Sequence, residues 1–214
     1  QSVCHVEDVA LRAAEAREGG SASRFIMAYE SNDPRWPAFT IKFAESHDLA
    51  NWRPMPDHIF GTDRYTACPC IRYLDGYYYV LYLEHLRPRW WFETFLTRSR
   101  DLVNWEPSPL NPILSPGQAE RLLEDAPGAE GPGTSGATRC GCRPAPWAEC
   151  CNTSDPDLGE FQGRVLLFYS YGDQRTWTQL TRAEYPGTLA DFFAACYPSH
   201  ESGAPEWFPR RGRP

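Results

Sequence analysis

No run of the sequence reaches the roughly eighteen consecutive apolar residues of a membrane-crossing helix. The densest apolar run, Tyr77–Leu83, is the length of a strand. No membrane partner is expected, and the protein is expected to be soluble. An excess of positive charge is missing too: 28 acidic against 21 basic residues leave a formal net charge of -7. Without a basic stripe to neutralise phosphates, nucleic acid is not expected as a partner. Helical periodicity is scarce and confined to Ala10–Glu18, Gln118–Asp125 and Thr188–Ala195. Paired C-x-x-C spacings and any H-E-x-x-H are absent, although the chain has eight cysteines and five histidines. No metal and no cofactor are expected, and Cys140, Cys142, Cys150 and Cys151 read as unpaired loop thiols rather than a zinc site. Nothing in the sequence assigns a compartment.

What is present is apolar and aromatic enough for a core: 42% hydrophobic residues, 14% of the chain being Phe, Trp or Tyr. Short segments rich in β-branched and aromatic residues, bounded by turn formers, predict strands at Arg24–Glu30, Ala38–Ala44, Cys70–Leu74, Tyr77–Glu84, Phe92–Arg98, Val165–Ser170 and Trp177–Arg182. The most informative feature is repetition. Ser46-His47-Asp48-Leu49-Ala50-Asn51-Trp52 returns as Ser99-Arg100-Asp101-Leu102-Val103-Asn104-Trp105, an offset of 99 − 46 = 53 residues. Upstream, Met27–Glu30 falls opposite Leu81–Glu84 at 81 − 27 = 54. Each unit therefore has one strand order, ending in a fourth strand after the Asp-Leu-x-Asn-Trp turn. That is the pattern of a four-stranded propeller blade.

A third copy starts at Asp155-Pro156-Asp157, matching Cys68-Pro69-Cys70, and its Gly163 falls opposite Gly76 at 163 − 76 = 87. The excess over the first offset falls on a Gly-, Pro- and Cys-rich stretch that reads as an inserted, poorly ordered loop. The expected organisation is two blades in 1–116, the insertion in 117–151, a third blade in 152–198 and a tail in 199–214. Five blades of about 53 residues need roughly 265. The 214 residues are therefore expected to hold three to four blades, whose exposed edges invite oligomerisation.

In the repeated turn, Asp and Asn can bond turn backbone, Leu points inward, and Trp offers a face for packing between sheets. Trp52 and Trp105 are accordingly read as structural. This turn, the hairpin Pro69–Tyr79 and Asn152–Leu158 together resemble the five-bladed β-propellers of glycoside hydrolase families 43, 32 and 130. The resemblance covers roughly Val6–Pro116 and Asn152–Pro198. It implies an all-β, five-bladed propeller fold and an oligosaccharide or glycoside substrate.

In such propellers the inner strands start at an axial funnel, where carboxylates from different blades converge on one glycosidic bond. The expected inner-strand positions are Asp8, Cys68 and Asp155. The family places an aspartate before the proline of the second unit, where this chain has Cys68. Asp8 is the candidate base, Glu84 the candidate acid in its aromatic setting, and Asp155 the residue that orients substrate or tunes the acid. Candidate substrate-binding residues are Glu30, His85, Arg89, Trp90, Glu93 and Asp157, with Arg87–Phe92 as a subsite wall. Turn capping, solvation or pairing with an arginine accounts equally for the carboxylates. Three readings stay open: a glycoside hydrolase, a non-catalytic propeller that binds glycans or proteins, and an inactive fragment.

Overall fold

The computed structural model describes residues 1–6, 23–86, 91–116, 151–175 and 177–198. The helices expected at Ala10–Glu18 and Gln118–Asp125, nearly all of the expected insertion, and the 199–214 tail lie outside the described residues.

Strands β1 (Ser2–Val6), β2 (Arg24–Ser31), β3 (Thr40–Ser46) and β4 (Arg53–Phe60) pair antiparallel in that order. The order recurs in β5 (Thr66–Leu74), β6 (Tyr77–His85), β7 (Phe92–Ser99) and β8 (Trp105–Pro107). A third antiparallel set is β9 (Asn152–Phe161), β10 (Arg164–Gly172) and β11 (Thr178–Pro186), followed by helix α1 (Leu189–Cys196). The fold is all-β and built of propeller blades. Strand β1 begins at Ser2 and ends at Val6, ahead of Asp8, the inner-strand position expected for the first unit. Strand β11 starts one residue late and runs four residues beyond the expected Arg182. The chain divides into two compact units, Gln1–Glu84 with Leu96–Pro107, and His85–Phe95 with Ser108–Pro214.

In the first unit, β5 packs on β1 and β2, and Ser2 Oγ accepts a hydrogen bond from the Ile71 amide at 3.2 Å. Ile26, Ile41, Phe43, Ile71 and Leu81 are completely buried, because alternate residues of each strand face the neighbouring sheet. The β5–β6 turn places Asp75 (φ 49°) and Gly76 (φ 78°) both left-handed. That geometry matches the twist of a two-residue hairpin and selects Asp-Gly.

The two repeated turns have one hydrogen-bond pattern. Ser46 Oγ accepts from the Asp48 and Leu49 amides at 3.2 and 3.0 Å. Ser99 Oγ does the same for Asp101 and Leu102 at 3.2 and 2.9 Å. Asp48 Oδ1 takes the Ala50 and Asn51 amides at 2.9 and 2.7 Å, and Asp101 Oδ1 takes those of Val103 and Asn104 at the same distances. The two backbone amides, with the side-chain amide of Asn51 or Asn104, hold each carboxyl well below the usual range. Leu49 (φ 62°) and Leu102 (φ 61°) are both left-handed as a result. Their burial differs, Leu49 being 53% exposed and Leu102 1%, so only Leu102 meets the inward expectation. Trp105 stacks on Phe43, with ring centroids 5.7 Å apart, and lies 5.0 Å from Phe60. It is a packing residue.

In the second unit, β10 runs antiparallel between β9 and β11, over a core that includes Leu158, Val165 and Tyr169. Thr188 and Asp191 close a capping box at the start of α1, which buries Phe193 and Cys196. Strand β9 meets β7 in parallel at Asn152 and Phe92, where Thr94 Oγ1 donates to the Thr153 carbonyl at 2.7 Å. The described cysteines Cys4, Cys68, Cys70, Cys151 and Cys196 form no disulfide with one another, and burial pushes Cys4 and Cys196 up to about 12. No helix among the described residues is long and apolar enough to cross a membrane.

Because the turns match and the burial does not, Leu102→Ala is expected to cost about 2–5 kcal/mol of stability. Leu49→Ala should stay within about 0.5 kcal/mol. Urea unfolding of both variants checks this, and equal losses would mean that the turn, not the cavity, carries the cost.

Candidate functional site

Strands β5 and β9 each carry an X-Pro pair near their start, Cys68-Pro69 and Asp155-Pro156, and break their ladders at that pair. Strand β5 shifts register between Ala67 and Cys70, and β9 shifts where it faces Phe168 and Ser170. At each break the residue before proline is left-handed: Cys68 at φ 50° and Asp155 at φ 52°. A proline neighbour and a positive φ are both costly for such residues, so their coincidence at equivalent sites supports the register inferred from the repeat. In the first blade, Val3 pairs with Met27 as Cys70 pairs with Leu81. The residue two before each is Gln1 and Cys68. Pairing thus gives Gln1, not Asp8, the place of Cys68, while Asp8 follows the end of β1 at Val6 and lies outside the described residues. The constant spacing of the turns misleads here because residues 7–23 join β1 to β2 where two residues join β5 to β6.

Glu84, near the end of β6, is paired across the ladder with Thr66. Its side chain is 12% exposed, and Oε1 accepts from Tyr82 Oη at 3.1 Å and Arg64 Nη1 at 3.3 Å. Arg64 also bonds Asp63 Oδ1 through Nε at 3.1 Å. Burial raises the Glu84 carboxyl above its ordinary value, and the Arg64 charge and Tyr82 hydroxyl offset only part of that rise. Among the described residues the arginine beside Glu84 is Arg64, while Arg98 pairs with Glu106 at 2.8 Å and Arg87 and Arg89 lie outside the described residues. No sequence signal marks Arg64, because its partnership depends on the connection from β4 to β5. Glu30, at the matching place in β2, accepts from the Cys68 amide at 2.8 Å and so holds the left-handed turn of β5.

The second unit contains Asp155, His85, Glu93 and Asp157. Asp155 and Asp157 are exposed, and Asp155 Oδ2 accepts from Ser154 Oγ at 2.7 Å. His85 stacks on Phe92 with centroids 4.4 Å apart. Glu93 is 6% exposed, and its Oε1 accepts from Trp91 Nε1 at 3.1 Å and from Ser115 Oγ. Its carboxylate is therefore engaged by its own unit, and Trp91 is oriented by it. Arg89 and Trp90 lie outside the described residues.

Chemically, the first unit offers a half-buried carboxyl with raised proton affinity beside a cation and a phenol. The second offers an exposed aspartate on a strained backbone.

No family model matches the sequence, and no curated protein matches it. Solved structures do. The Bombyx mori GH32 beta-fructofuranosidase BmSUC1 matches with a TM-score of 0.51 at 14% identity, over 76% of this chain and 30% of that one. A mutant of the same enzyme in complex with sucrose gives the same figures. A protein described as a glycoside hydrolase matches with a TM-score of 0.53 at 15% identity, over 88% of this chain and 47% of that one. The chain thus spans less than half the length of either relative. What these likenesses show is the fold, the β-propeller of glycoside hydrolases.

Because the folded chain holds the Glu84 proton more tightly than the unfolded chain does, rising pH removes that proton at a cost to folding. The stability conferred by the neutral form is full below the ordinary glutamate range and is lost as pH climbs through the raised value. Glu84→Gln is expected to flatten this part of the profile, as read by urea unfolding across a pH series. A slope identical in the two proteins would remove Glu84 as its source.

Proposed function

We propose that this chain, which shares the propeller fold of glycoside hydrolases, is a carbohydrate-active protein that hydrolyses a glycosidic bond with paired carboxylates. The observation that carries this reading is Glu84. Its burial raises its hold on a proton, as a general acid near neutral pH requires, while Tyr82 and Arg64 orient one of its oxygens. Glu84 protonates the leaving oxygen, and an aspartate supplies the second charge, Asp155 being the described candidate and Asp8 a further one. Glu30, His85, Arg89, Trp90, Glu93 and Asp157 are the proposed substrate contacts, and the substrate is an oligosaccharide or glycoside.

A second reading, a propeller that binds glycans without cleaving them, is favoured by one observation. Cys68 holds the left-handed place before proline that Asp155 holds in the third blade, so a thiol stands where the repeat elsewhere presents a carboxylate.

The readings part on a panel of aryl arabinoside, xyloside, galactoside and mannoside, together with sucrose, assayed with and without phosphate. Hydrolysis is expected for one sugar class. Glu84→Gln should lower kcat about 100- to 10,000-fold, and Asp155→Asn should also abolish turnover. Tyr82→Phe removes a bond that favours the charged form of Glu84, so it should move the alkaline limb of the rate profile to higher pH. Oligosaccharide binding by the folded chain without turnover would instead establish the second reading.

A further inference from the structure

The side chain of Asp155 is the end of a hydrogen-bond chain whose direction can be read from its other end. Ser170 presents a backbone carbonyl, which can only accept. Asn152 donates to it through Nδ2 at 3.2 Å, so the other face of the Asn152 amide must be its oxygen. Gln174 lies 2.8 Å from that oxygen and 3.1 Å from Ser154 Oγ through a single atom. That atom must donate to Asn152 Oδ1, so it is Nε2, and Nε2 has a second proton for Ser154 Oγ. Ser154 has one proton of its own, and with its oxygen receiving Gln174 that proton points to Asp155 Oδ2, 2.7 Å away. Each link leaves the next without a choice. Oδ2 of Asp155 is an acceptor, and Oδ1 is the oxygen left to take a proton.

The chain is built on ordered groups. Asn152 and Ser154 are completely buried, so a reversed polarity would leave a donor facing a donor at a cost of about 1–3 kcal/mol. Gln174 is exposed as a residue but held at its backbone. It is left-handed at φ 63°, in a loop where Asp173 Oδ1 takes the amides of Arg175 and Trp177 at 2.9 and 3.0 Å. Gly172, at φ 155°, lets that loop close, since a Cβ there would lie 2.3 Å from the Trp177 carbonyl. Two left-handed residues other than glycine, Gln174 and Asp155, thus sit at the two sides of one chain of bonds. Strain maintained in this way marks a position that the surrounding structure determines.

We propose that Gln174 is a positioning residue which, through Ser154, fixes Asp155 as an acceptor and turns its Oδ1 to the reacting sugar or water. The catalytic meaning rests on the glycosidase reading, and the chain of bonds does not. Oδ1 is thereby the atom of Asp155 at which a proton is exchanged, as the base role of the glycosidase reading requires.

Two readouts test it on the whole chain. The first is NMR of the Gln174 side-chain amide. Its protons should exchange slowly and be shifted from free-glutamine positions. Ser154→Ala should erase this for one of the two protons, the other staying on Asn152 Oδ1, Ser154→Thr should restore it, and Asp155→Asn should keep it, because an asparagine oxygen can still accept from Ser154. An amide indistinguishable from free glutamine would overturn the bond chain whether or not the protein is active. The second is kinetics. Gln174→Ala and Gln174→Glu should lower kcat by up to about 100-fold with KM within about twofold, and Ser154→Thr should recover most of the loss from Ser154→Ala. Unchanged kcat in an active enzyme would overturn the positioning role. A bonded amide in a protein that cleaves none of the panel would support the bond chain and overturn the glycosidase reading and the positioning role with it.

Discussion

To turn a side chain out of its sheet, an inner strand of this fold has to leave its ladder, and at both places where one does so a neighbouring side chain holds the departing residue. At Cys68 that group is Glu30, reaching from the preceding blade to the freed amide. At Asp155 the buried serine beside it takes the side chain instead. Proline follows in both cases and cannot return to the ladder on its donor side. The same constraint therefore decides where β5 and β9 bend and which residues they present.

The electrostatics of the two units follow from burial. Glu84 is deep enough to resist ionisation and has one cation and one hydroxyl at the same oxygen. Asp155 is exposed, and its described side-chain partner, Ser154, donates to it. The two residues thus differ in depth although both sit near strand ends.

The fold was legible because its signals are local. Asp75-Gly76 demands a tight hairpin, and Ser-x-Asp-Leu-x-Asn-Trp carries its own acceptors, so each reads the same wherever it occurs. The four-strand order followed from their spacing. The site was legible in part. Glu84 stood out through its aromatic strand, and Asp155 through its match to Cys68. The repeat spacing puts Asp8 opposite Cys68 while strand pairing puts Gln1 there, because a long β1–β2 connection changes the sequence distance without changing the pairing, and Asp8 lies outside the described residues. Arg64 and Gln174 were invisible because each acts through a partner 20 or more residues away, in loops with no periodicity to betray them.

The repeated turns also carry a kinetic consequence. Each closes within a few residues and supplies its own bonds from Ser and Asp, so its formation needs no distant contact and belongs to the microsecond scale of hairpins, about 1–10 μs. The meeting of β7 with β9 is different in kind. Thr94 and Thr153 are 59 residues apart in the chain, and parallel pairing has to wait for that whole loop to close. This seam, like the bond of Ser2 with Ile71 across 69 residues, therefore carries a loop-closure cost that the turns do not.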